Sequence, residues 1–157
     1  MRNSIRTFFA AALLLAAATQ LPAGGLHVML GNPEASPEAR KHNAVLTIIL
    51  AGCHEPEKAP VEGAAITVVD GKRQTIPIQL IALSKPGMYA VTRQWPARGR
   101  WVLQFVAKDR GRVASTLVAA TPDKIERHSA KMAMRLPSEK DLAALLSGGD
   151  KPEVARK

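Results

Sequence analysis

The densest group of side chains that could bind a metal ion is Cys53, His54 and Glu55, with His42 nearby in the sequence. A thiolate and an imidazole are soft and borderline donors that suit Cu(I) and Zn(II). Structural zinc sites usually take four ligands, commonly in pairs such as Cys-x2-Cys, and this chain has no such pair. Cys53 and His54 are therefore candidate copper or zinc ligands, and the competing interpretation is that Cys53 is an inert small residue near a strand end.

A second set of donors combines His128 with the thioethers of Met132 and Met134. Alternate residues of a strand point to the same face, so the Met-x-Met spacing would place both sulfurs on one side. One imidazole and two thioethers would suit Cu(I). The competing interpretation is that both methionines are ordinary core or surface residues.

The four residues that end at Cys53, Leu50-Ala51-Gly52-Cys53, match the lipobox that precedes a lipid-modified cysteine. The apolar stretch Ala44–Ala51 before it is rich in β-branched residues and suits a strand. Because a better charged export signal lies upstream, we predict a core strand here. Cys53 is the only cysteine, so a disulfide within the chain is excluded, and its state (free, lipid-modified, metal-bound or bridged to another chain) stays open.

The motifs of common enzyme classes are missing from the sequence. It contains no Gly-x-Ser-x-Gly elbow and no Gly-x4-Gly-Lys-Ser/Thr phosphate loop. His54-Glu55 lacks the second histidine that a zinc protease helix requires. The sequence therefore predicts a protein that is not an enzyme, with no catalytic residues and no cofactor apart from the metal alternative.

The chain of 157 residues is basic, with a formal net charge of +9. Six of the 22 basic residues fall in two predicted turns, which hold Arg93, Arg98 and Arg100 and then Lys108, Arg110 and Arg112. Successive turns of an antiparallel sandwich lie at opposite ends, so we expect two solvated clusters and no single basic patch. Aromatic residues, which stack on bases, make up only 4% of the chain, and we predict no binding of nucleic acid.

Residues 1–23 have the pattern of an export signal. Arg2 and Arg6 precede an apolar run over Thr7–Ala18, and small residues follow up to Ala23. The run is shorter than the roughly 20 residues that span a bilayer. We predict a signal peptide with a cleavage point near Ala18 or Ala23, no transmembrane segment after its removal, and an exported protein that is periplasmic or secreted.

The rest of the chain predicts one domain of short strands. Residues 24–43 form a lead-in, and residues 44–136 hold apolar segments separated by turns at about ten-residue spacing. Asp70-Gly71 is a two-residue hairpin signal, and Pro77 predicts that its segment, Thr75–Leu83, is an edge strand or begins late. We predict a mainly β protein, an antiparallel β-sandwich of six or seven strands.

The last part of the chain has a different pattern. Lys131–Leu136 is predicted as the final strand, and residues 137–149 are predicted as a short C-terminal helix. Ser138 and Asp141 have the spacing of a capping box. The leucines Leu142, Leu145 and Leu146 form its apolar stripe, and residues 150–157 are predicted to be a disordered tail.

Three short motifs, Pro60–Ala64, Gly87-Met88-Tyr89 and Trp95–Trp101, carry a resemblance. Together they resemble exported bacterial immunoglobulin-like or transthyretin-like β-sandwich modules, including carboxypeptidase-regulatory-like and YtkA/FixH-like domains, over residues 44–120. The resemblance implies turns at Gly63, Gly87 and Gly99 and a core that holds Tyr89, Trp95 and Trp101. It also implies a module that binds or presents rather than catalyses.

These observations predict an exported, non-enzymatic binding or accessory module of the bacterial cell envelope, with an envelope protein or polymer as its partner. The oligomeric state stays open. The alternative is a small periplasmic protein that binds copper or zinc through Cys53 and His54.

Overall fold

Two antiparallel sheets, packed face to face, make up most of residues 25–148, the part of the chain that the structure (a computed structural model) describes. The strands are β1 (His27–Gly31), β2 (Leu46–Ala51), β3 (Val61–Val69), β4 (Lys72–Ile78), β5 (Leu80–Ala82), β6 (Met88–Val91), β7 (Trp101–Asp109), β8 (Arg112–Ala120) and β9 (Ile125–Ala133). Their order is β1-β2-β6-β5 in the four-stranded sheet and β4-β3-β7-β8-β9 in the five-stranded sheet. The predicted antiparallel β-sandwich is confirmed.

The main core lies between the two sheets. On β7, the alternate residues Trp101, Leu103 and Phe105 point into it, as the period of two predicts. Gly63 faces Phe105 from β3, where a Cβ would lie 3.2 Å from a ring carbon. The resemblance implied a turn at Gly63, but the structure places this glycine within β3. A glycine is needed there because the Phe105 ring leaves no room for a side chain.

Two smaller apolar clusters cover the outer faces of the sheets. Helix α2 (Glu139–Leu146) lays Leu142 and Leu145 over Val102 and Leu117 of the five-stranded sheet. Helix α1 (Pro37–Lys41) places Ala39 against residues of the other sheet and its flank. Strand β8 is therefore covered on both faces, which explains why its last seven residues are all buried.

The helix ends follow the capping rules. Ser138 accepts a hydrogen bond from the Asp141 N–H, and the Asp141 carboxylate accepts one from the Ser138 N–H. The predicted C-terminal helix is confirmed with its capping box. Ser36 caps α1 in the same position, with Pro37 in its first turn. Neither of the described helices has the length and apolar character needed to cross a membrane.

The chain passes from one sheet to the other at Gln79, between β4 and β5. The sequence predicted one continuous strand over Thr75–Leu83, but β4 pairs with β3 and β5 pairs with β6. The side-chain amide of Gln94 accepts a hydrogen bond from the Gln79 N–H and donates one to its C=O, 2.8 and 2.9 Å long. Pro77 lies in β4, an edge strand, as predicted.

Within residues 25–148 the chain forms nine strands, where the sequence predicted six or seven. Strand β1 lies inside the 24–43 lead-in, whose glycines and prolines obscured it, and the split at Gln79 adds another strand. The last strand runs over Ile125–Ala133 rather than Lys131–Leu136, because an edge strand tolerates the charged residues of its first half. The predicted signal peptide (1–23) and tail (150–157) lie outside the described residues.

Candidate functional site

Cys53 lies in an exposed loop that directly follows β2. The loop turns through three residues with positive φ, namely Gly52 (139°), His54 (63°) and Glu55 (55°). Positive φ is uncommon outside glycine, so two consecutive side-chain residues in this region need support from neighbouring groups. The support comes from the turn between β7 and β8.

Two arginines of that turn hold the Cys53 loop. Arg112 donates hydrogen bonds to the backbone C=O of Cys53 (2.8 Å) and of His54 (3.4 Å), while an ion pair with Asp109 orients its guanidinium. Arg110 lies 3.6 Å from the Glu55 carboxylate. The basic residues of this turn are therefore engaged in fixing the loop that carries both predicted metal ligands.

The predicted ligands Cys53 and His54 are adjacent in this loop, but no third ligand of the usual types joins them. Within residues 25–148, no three His, Cys, Asp or Glu side chains lie close enough together to hold a metal ion. The remaining soft side-chain donor is the thioether of methionine. Methionine is a donor that suits Cu(I).

His128 and Met134 of the second predicted set have different surroundings. His128 lines a cavity against α2 with Arg100 and Glu126. The sulfur of Met134 instead contacts Gly25, just before β1, so closely that a Cβ on this glycine would collide with it. Met132 and Met134 are 63% and 67% exposed, and neither belongs to the core.

A histidine that the sequence analysis did not select, His27, lies beside Met134. Its Nε2 is 3.5 Å from the position that a Cβ of Gly25 would take. The Cys53 loop reaches the same place, because a Cβ on Gly52 would collide with the Gly25 C=O. The only clue in the sequence would have been the alternation of His27 with buried Val28, and this requires β1 to be recognised first.

The lipobox interpretation and the strand interpretation of Ala44–Ala51 have different structural consequences. Residues Leu46–Ala51 form β2, which lies between β1 and β6 and buries Leu50. The predicted strand is therefore confirmed. Cleavage before Cys53 would remove the strand to which both neighbours pair.

A groove lies at the opposite end of the sandwich, where β3 extends past β7. The pairing of the two strands ends at Ile66, and Thr67 donates its hydroxyl hydrogen to the C=O of Arg100 (2.7 Å). The groove has a volume of about 640 Å³. Its wall combines the exposed Val68 and Val69 with Pro96, Arg98, Gly99, Trp101 and Leu146.

The basic residues near this groove differ in how they are engaged. Arg93 stacks on the Trp95 ring at 5.5 Å, and Arg100 binds Glu126 and the C=O of Leu145 through two 2.7 Å hydrogen bonds. Arg98 has no ion-pair partner within residues 25–148. The two basic clusters lie at opposite ends of β7, about 30 Å apart, as the sequence predicted.

Three carboxylates have lowered pKa values because of their partners. Hydrogen bonds from Arg100 lower the pKa of Glu126, and hydrogen bonds from Arg135 and Ser138 lower that of Asp141. Hydrogen bonds from the Ser84 side chain and backbone lower the pKa of Glu38. In their ionised forms, Glu38 and Asp141 connect their own helices to neighbouring segments, while Glu126 holds Arg100, which donates to the Leu145 C=O of α2.

Comparison with known proteins gives no relative for this chain: no family model, no curated protein and no solved structure matches it.

Proposed function

We propose that this protein is an exported, non-enzymatic binding module of the bacterial cell envelope, and that its groove holds an extended segment of an envelope protein. The observation that carries the proposal is the extension of β3 past β7, which leaves Val68 and Val69 exposed beside Arg98, a residue with no ion-pair partner among the described residues.

The backbone supports binding of an extended segment. Beyond Ile66, β3 has lost its β7 partner, while its other side stays paired with β4 up to Val69 and Lys72. An unpaired strand edge is a template for an added strand, and main-chain hydrogen bonds then contribute to the affinity.

The side chains define the chemistry of the partner. Val68 and Val69 are 49% and 45% exposed, and burying them favours an apolar side chain opposite. Arg98 supplies a planar guanidinium that suits a carboxylate. The expected partner segment therefore carries a branched apolar residue and an acidic residue within a few positions of each other.

The finer resemblance to carboxypeptidase-regulatory-like or YtkA/FixH-like modules is part of the proposal. It is supported by positive φ at Gly87 (73°) and Gly99 (74°), where the resemblance implies turns. Trp95 and Trp101 are buried between the sheets, and Tyr89 packs against the same core. Such modules act by binding, which agrees with the proposed role.

The test is site-specific photocrosslinking in intact cells that export the protein. A photoreactive amino acid replaces Val69 in one strain and Lys108, at the other end of β7, in a matched control strain. We expect one discrete envelope protein to be crosslinked from position 69 only, and Arg98→Glu to abolish the crosslink by repelling the carboxylate. Identical products from both positions, or a crosslink that Arg98→Glu leaves intact, would refute the groove.

A second measurement defines the contact. A synthetic peptide that covers the crosslinked segment should bind the purified protein, with an affinity that falls as salt is raised, because the Arg98 contact is exposed to solvent. Crosslinks to cytoplasmic proteins alone would refute the exported location.

A further inference from the structure

Two donors from distant parts of the chain, His27 and Met134, lie over Gly25 at the end of the sandwich away from the groove, and the Cys53 loop packs against the same glycine. His27 belongs to β1, Cys53 follows β2, and Met134 follows β9. The loop reaches Gly25 because His27 pairs with Ala51 at the ends of β1 and β2, and Gly52 packs on the Gly25 C=O.

We infer that Cys53, His27 and Met134 form a binding site for one Cu(I) ion. The donor set is one thiolate, one imidazole and one thioether, and the sulfur ligands select a soft monovalent copper ion. This inference does not depend on the proposed groove, which lies at the other end of β7.

The absence of a side chain at Gly25 makes the site. The Met134 sulfur occupies space that a Cβ at this position would fill, and the His27 Nε2 lies 3.5 Å from the same point. The Met134 sulfur and the His27 Nε2 therefore lie close to the same glycine. The space left by its missing side chain allows these two atoms to approach each other. Gly25 thus allows the Met134 thioether, from the far end of the chain, to approach the His27 imidazole.

The backbone near Cys53 is held in place before any ion arrives. Arg112 donates to the C=O groups of Cys53 and His54, and Gly52 packs on the Gly25 C=O. Because these contacts use backbone atoms, they leave the Cys53 thiol free to bind an ion. A fixed loop lowers the conformational cost of binding.

Zn(II) is a poorer match for the same residues. Zinc sites in proteins use Cys, His, Asp and Glu ligands, and thioethers are not among them. Within residues 25–148, Cys53 lacks two further ligands of these types close enough to complete such a set. The thioether of Met134 therefore favours Cu(I) over Zn(II), and substitution of Met134 is the decisive test.

The experiment titrates the purified, fully reduced protein with Cu(I) under anaerobic conditions, in competition with a chromogenic Cu(I) chelator. We expect one Cu(I) per chain. Cys53→Ser, His27→Asn and Met134→Leu should each weaken binding at least about tenfold. X-ray absorption of the copper-loaded protein should show both sulfur and nitrogen ligands, with one sulfur fewer in Met134→Leu.

Gly25→Ala tests whether the site requires a glycine at this position, because the substitution keeps every donor but puts a methyl group where the Met134 sulfur lies. It should weaken Cu(I) binding about tenfold. Met132→Leu and His128→Asn are the matched controls, since they remove an exposed methionine and an exposed histidine that belong to β9 and should leave the affinity unchanged.

The opposite results would overturn the inference. The first is that the reduced protein binds no Cu(I), and the second is that the Cu(I) affinity is unchanged in both Met134→Leu and Gly25→Ala. The third is that the two controls lose as much Cu(I) affinity as Met134→Leu does. The fourth is that the protein binds Zn(II) more tightly than Cu(I). The substituted side chains are exposed, so thermal unfolding should show the fold intact in each variant. If Gly25→Ala disturbs the fold, Met134→Leu alone decides.

Discussion

The hairpins β3–β4 and β7–β8 have the same turn but different surroundings. Each turn has two residues, both with positive φ: Asp70 (50°) and Gly71 (73°) in the first, Arg110 (48°) and Gly111 (77°) in the second. This is the geometry of a type I′ turn, which matches the twist of the strands that it joins.

The β7–β8 hairpin lies inside its sheet, and its turn is tied to the Cys53 loop by Arg112. The β3–β4 hairpin lies at the sheet edge, and its described ion pair beyond the sheet joins Arg73 to Glu139 on the surface. The difference shows that the local turn sequence makes a hairpin, while neighbouring elements decide whether that hairpin is held within the fold or stays exposed.

The largest expected loss of stability is in the β7–β8 hairpin. Phe105→Ala should lower the free energy of unfolding by about 3–5 kcal/mol, because the ring is fully buried between the sheets. Val69→Ala, at the tip of the other hairpin, should change it by less than about 0.5 kcal/mol. Urea unfolding measures both, and similar losses would show that the β3–β4 tip belongs to the core after all.

A smaller effect separates the arginines of the two hairpins. Arg112→Ala should cost about 1.5–3 kcal/mol, because a half-buried guanidinium loses an ion pair and two carbonyl contacts. Arg73→Ala breaks an exposed ion pair and should cost less than about 1 kcal/mol. Hydrogen exchange should also show faster opening of the Cys53 loop in Arg112→Ala alone. Equal stability losses would contradict the proposed difference in anchoring.

The smallest contrast is between the turns themselves. Gly71→Ala and Gly111→Ala should each destabilise by about 1–2 kcal/mol, since both glycines have left-handed φ and no atom lies within 4 Å of either new Cβ. The two values should agree within error, as measured by thermal unfolding. A clearly larger loss at Gly111 would mean that the tertiary environment also shapes the turn.

Much of the architecture follows from local patterns in the sequence. The alternation of Trp101, Leu103 and Phe105 predicts which face of β7 is buried, Asp70-Gly71 predicts a hairpin, and Ser138 with Asp141 predicts the start of α2. Each of these signals lies within a few residues, so it holds whatever the rest of the chain does.

The features that sequence patterns missed depend on distant partners. Strand β1 is short and gains its place by pairing with β2, and the switch at Gln79 depends on the Gln94 side chain. His27 and Met134 come together only because β1 and β9 are the edges of different sheets on the same side of the sandwich. A pattern of a few neighbouring residues carries no information about a contact between segments so far apart in the sequence.

The crossing at Gln79 has a consequence for how the protein folds. Since a single residue joins β4 to β5, neither sheet can be completed without fixing a strand of the other. Pairing of β3 with β7 closes a long loop that contains β4, β5 and β6, and such non-local contacts slow folding. The two sheets should consequently form in one cooperative step rather than as separable units, and the Gln94 amide, which binds both polar backbone groups of Gln79, should become ordered in that same step.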